Sequence, residues 1–97
     1  MYNINKNITM AKDLDIGTGS TPEDARDPDN RTSIPCCSYL PMSIEETYSY
    51  EEFVAFSRRW IASISDPDEY MKVVIMFGLI FTELNGEEPN FIYISYQ

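Results

Sequence analysis

Ninety-seven residues are enough for one small domain with a single core, and sixteen acids against seven bases leave the chain at a net charge of -9. That charge repels nucleic acid and anionic membrane surfaces, so direct binding to either is not expected. With no histidine and only two cysteines, the chain alone can build neither a conventional zinc site nor a cysteine–histidine nucleophile.

The first ten residues, MYNINKNITM, lack the uninterrupted apolar core of a signal peptide. The apolar run from Val73 to Phe81 is about half the length needed to cross a bilayer, and a cytoplasmic protein is expected. Residues 2–10 alternate, with Tyr2, Ile4, Ile8 and Met10 on one side, which predicts a short half-buried strand. Residues 11–33 are polar and punctuated by Gly17, Gly19, Pro22 and Pro28, and read as a long flexible loop.

Within that loop, Asp13-Leu14-Asp15-Ile16-Gly17-Thr18-Gly19 resembles the glycine-rich first motif of methyltransferases that bind S-adenosylmethionine. The motif works only after a buried strand and before a helix of a large parallel sheet, and Ala11-Lys12-Asp13 is no such strand, so no activity is assigned to it. Asp27-Pro28-Asp29-Asn30 opens like a calcium loop but lacks its glycine and closing glutamate. No cofactor and no metal are expected.

Ile34 to Leu40, IPCCSYL, is bracketed by prolines and suits an edge strand over 34–40. Cys36 and Cys37 would point to opposite faces of it, as free thiols. Ser49 and Glu52 have the spacing of a capping box, with Ser43 and Glu46 offering a weaker start upstream. From there the periodicity predicts a helix over 50–64, with Tyr50, Phe53, Val54, Phe56, Trp60, Ile61 and Ile64 on one face. Glu51, Glu52, Arg58 and Arg59 lie opposite. Trp60 is expected in the core, and the paired arginines are expected in solvent or holding a carboxylate.

Asp66-Pro67-Asp68-Glu69 combines an N-cap, a proline at the first helical position and two acids in the first turn. With Asn85-Gly86 as the stop, a second helix over 67–84 is predicted. The rival reading makes Asn85-Gly86 a hairpin turn between two strands, which demands an unusually long first strand. Phe91 to Tyr96 is β-branched and aromatic and predicts a closing strand over 91–96.

These elements add up to a single small α+β domain, residues 1–97. A helical hairpin (50–64 and 67–84) packs on a short sheet (2–10, 34–40, 91–96). A helix as apolar as 67–84 needs cover on more than one side, so a homodimer or a partner docked on it is expected.

The acids are concentrated in the later part of the chain. Residues 1–42 hold six acids and four bases, whereas 43–97 hold ten acids and three bases. Glu45, Glu46, Glu51, Glu52, Asp66, Asp68 and Glu69, interleaved with Tyr48 and Tyr50, form the candidate partner-binding set. Acids also gather at helix N-termini for the dipole and in loops for solubility. The sharper expectation is that carboxylates imitate phosphates in the basic groove of a nucleic-acid-binding protein, with tyrosines as anchors. Such a chain is a small acidic inhibitor of the sort phages and mobile elements use against CRISPR or restriction enzymes. An immunity protein or antitoxin neutralising a basic toxin fits the same features. An enzyme is not expected, because no carboxylate spacing demands acid–base work and histidine is lacking.

Overall fold

A computed structural model of the chain describes residues 13–35 and 43–97. The α+β class expected from the sequence is the one observed: an antiparallel four-stranded sheet with helices on both faces. The strands are β1 (Leu14–Gly19), β2 (Arg31–Ile34), β3 (Ile44–Ser49) and β4 (Phe91–Tyr96), in the order β2-β1-β4-β3. The helices are α1 (Pro22–Arg26), α2 (Tyr50–Ser63) and α3 (Pro67–Leu84), with a 3-10 turn at Pro28–Asn30.

Both predicted long helices are present, for the local reasons read from the sequence. Ser49 caps α2 through a complete capping box, its hydroxyl accepting from the Glu52 N–H while the Glu52 carboxylate accepts from the Ser49 N–H. Asp66 caps α3 by accepting from the Glu69 N–H, and Pro67 opens the first turn. Asn85, left-handed at φ 53, closes α3 with its N–H on the Phe81 and Thr82 carbonyls, and Gly86 follows at φ 84. The hairpin-turn reading of Asn85-Gly86 is thereby overturned.

The expected loop over 11–33 is corrected: from Leu14 on it holds β1, α1, the 3-10 turn and β2. Its composition hides this because one face of β1 consists of Asp15, Gly17 and Gly19. A Cβ on Gly17 would sit 2.1 Å from the Ala25 carbonyl oxygen, and one on Gly19 would sit 2.4 Å from the Asp24 Cβ. The glycines therefore let α1 press on the strand, and the sheet around them is antiparallel, unlike the parallel sheet that the methyltransferase motif requires.

Of the strand expected at 34–40, only Ile34 and Pro35 are described. β2 ends at Ile34, which pairs with Leu14, and Pro35 follows without strand pairing. The remainder of that segment, with Cys36 and Cys37, and the strand expected at 2–10 lie outside the described residues. β3 occupies the stretch where Ser43 and Glu46 offer a weaker helix start: Ile44, Glu46 and Tyr48 pair with Tyr96, Ile94 and Ile92 of β4.

Pairing parity assigns the faces. Leu14, Ile16, Ile92, Ile94 and Tyr96 turn toward α2 and α3 and bury with Phe53, Val73, Met76, Phe77, Ile80 and Leu84. Tyr93 turns the other way, beneath α1, with the Arg31 guanidinium over its ring at 4.7 Å. Aromatic rings knit the hairpin: Phe53 lies 5.7 Å from Phe77 and 5.5 Å from Phe81, and Trp60 meets Phe77 edge-on at 5.6 Å. Trp60 is half-buried, whereas Ser57, which the wheel did not single out, is buried with its hydroxyl on the Val54 carbonyl.

Candidate partner-binding surface

The nine candidate residues do not form one row. Glu45 and Glu46 are neighbours on β3 and so point to opposite faces of the sheet. On the α1 face the Glu45 carboxylate accepts from the Tyr93 hydroxyl at 2.8 Å and from the Gln97 side-chain amide at 3.2 Å. Burial first, and then the hydrogen bond to Glu45, raise the pKa of the Tyr93 hydroxyl. On the other face Glu46 stands beside Tyr48 and Arg59. Burial and the Glu46 charge raise the Tyr48 pKa, and Arg59 partly opposes them.

Tyr48 is no free anchor. Its ring stacks on Phe56 with centroids 5.1 Å apart and planes 18° from parallel. Tyr50 is half-buried against the core at the start of α2. Glu51 is exposed, while the Glu52 carboxylate is engaged in the capping box. Asp66 is engaged as the cap of α3, Asp68 pairs with Lys72 at 3.1 Å, and Glu69 is half-buried. The first turns of α2 and α3 lie at opposite ends of the 14-residue α2, about 20 Å apart along its axis.

What the structure does bring together is an open groove of about 710 Å³ between β3 and α2, lined by Ile44, Glu46, Tyr48, Phe56, Arg59 and Trp60. It continues past Glu46, Tyr48 and Arg59 to Thr47 and Glu52. Glu45, Glu46 and Tyr48 belong to it, Glu52 lies at its far end, and the acids of α3 do not reach it. The sequence carried the signal in the alternation of Ile44, Glu46 and Tyr48, but the helix-start pattern of Ser43 and Glu46 masked it.

A second surface lies on α3. Tyr70, Met71, Val74 and Ile75 are 44%, 59%, 37% and 42% exposed, on the side turned away from the buried Val73, Met76, Phe77 and Ile80. Gly78 continues this strip, with open space where a side chain would stand. Among the described residues α3 is thus covered on the side of Val73, Met76, Phe77 and Ile80, and the opposite strip is exposed.

Among the described residues only Glu23 and Asp68 have a cation within ion-pairing distance. No group of three or more potential ligands among them is placed to hold a metal ion, and no helix is long and apolar enough to cross a membrane. Among the described residues the arrangement is that of a small acidic α+β protein in which no further strand pairs with the outer edge of β3 and one apolar strip of α3 is exposed. No protein-family model, no curated protein and no solved structure matches the chain.

Proposed function

We propose that the chain is a small acidic inhibitor that binds a basic, nucleic-acid-binding protein and holds carboxylates where that protein's own ligand places phosphates. It acts without catalysis or cofactor and does not itself bind nucleic acid or membrane. Proteins of this kind serve phages and mobile elements against CRISPR and restriction enzymes, and that is the setting proposed here. The observation that carries the reading is the uncompensated surface: exposed Glu45, Glu46, Glu51 and Asp66 have no cation partner among the described residues. Such charges accelerate encounter with a basic surface and orient it. The exposed strip of α3 adds the apolar contact that affinity requires.

The test is capture of the partner followed by competition. The captured protein binds DNA or RNA, the nucleic acid displaces the chain, and binding weakens at least tenfold between about 50 and about 300 mM salt. Reversal at Glu46 or Glu51 costs more affinity than reversal at Asp13 or Asp15. Salt-insensitive binding, or equal losses at all four positions, would refute the reading.

A further inference from the structure

We infer that the outer edge of β3 takes up an extended, basic segment of the partner as an added strand, whose alternate side chains enter the groove beside Tyr48, Phe56 and Trp60. This rests on the proposed function, because the basic character of the segment follows from the basic partner.

The backbone observation comes first. The Tyr50 N–H donates to the Asn90 carbonyl at 3.1 Å, which fixes the parity of the β3–β4 ladder. Ile44, Glu46 and Tyr48 therefore direct their peptide groups toward β4, and Glu45, Thr47 and Ser49 direct theirs outward. The Ser49 N–H is taken by the Glu52 carboxylate at 2.9 Å. The main-chain groups of Glu45 and Thr47 have no hydrogen-bond partner among the described residues, and no described strand pairs with this edge. Two residues offering both donor and acceptor form a docking rail for a strand.

The side chains then specify what the rail accepts. On the helix side an incoming strand meets the aromatic wall of Tyr48, Phe56 and Trp60, suited to apolar side chains. Its neighbours on β3 are Glu46 on that side, with Arg59 beside it, and Glu45 on the other, with Arg26 donating to the Thr47 hydroxyl at 3.3 Å. Lysine or arginine is therefore favoured opposite the two glutamates and apolar side chains next to the arginines. The same pair of acids disfavours a second copy, which brings another net charge of -9. An extended segment carrying basic and apolar side chains matches backbone, groove and charge together.

Hydrogen exchange followed by NMR on the full chain tests this, with a blocked peptide of about nine residues alternating lysine and valine as the probe. The Glu45 and Thr47 amides exchange freely without peptide and gain roughly tenfold protection or more with it, while Trp60 fluorescence shifts. N-methylation of the peptide nitrogens that face β3 weakens binding at least about tenfold, and N-methylation of the intervening nitrogens does not. Equal binding by both N-methylated peptides, or by a peptide of the same composition in helical pattern, would overturn strand addition and leave the acidic-inhibitor reading standing. Failure of every basic peptide to bind at low salt would overturn both. Amides already protected without peptide would also overturn it, a concentration-dependent protection assigning the edge to a second copy and a concentration-independent one to the chain itself.

Discussion

At the residue scale, Gly17 and Gly78 make opposite demands. Gly17 has no room for a side chain, since a Cβ meets the Ala25 carbonyl oxygen, whereas Gly78 faces open space in the middle of a helix. Gly17→Ala is expected to destabilise by about 1–3 kcal/mol or more through forced displacement of α1. Gly78→Ala is expected to stabilise by roughly 1 kcal/mol through helix propensity. Urea unfolding of the two variants checks both signs. Tyr93 offers a further test, because its hydroxyl donates to the Glu45 carboxylate from a buried position. Tyr93→Phe loses about 1 kcal/mol at neutral pH. The folded pKa of Tyr93 lies above the ordinary 10.0, so this contribution is complete below the unfolded value and is lost as pH rises through the folded one. The stability difference between the two proteins is therefore expected to narrow above about pH 10, which denaturant midpoints across pH will measure.

At the scale of elements, the β3–α2 junction shows how one local signal conceals another. Ser49 ends the strand and caps the helix, so chain direction changes without a loop. Ser49→Ala is expected to cost about 1 kcal/mol, read from the shift in urea midpoint. Glu52→Gln keeps most of the cap, since glutamine closes the same box, and so separates the charge of Glu52 from its structural part. Helices α2 and α3 were legible because caps and a 3.6-residue period lie within a few residues of one another. Strands β1 and β2 were not. Leu14 and Ile16 alone mark the inner face of β1, and the glycines opposite them read as loop until α1 is seen pressed against them. β3 failed differently: its alternation is real, but the acids suited a helix start equally well.

For the molecule as a whole, net charge governs both stability and association. With few cations near the acids among the described residues and a net charge of -9, the folded chain repels itself, and added salt relieves that repulsion. Raising salt from about 20 to about 300 mM is expected to raise the melting temperature while weakening partner binding, two opposite responses measurable on one sample. A fall in melting temperature with salt would show that ion pairing outweighs repulsion. By itself the sequence determined the helical hairpin, the closing strand and the acidic exterior, all of which follow from periodicity, capping and composition over short spans. Only the tertiary structure decided that Glu45 and Glu46 part to opposite faces, that Tyr48 is spent on Phe56, and which side of α3 stays uncovered. Those outcomes hang on pairings such as Leu14 with Tyr96, across nearly the whole chain, where no local pattern states which partner a strand will find.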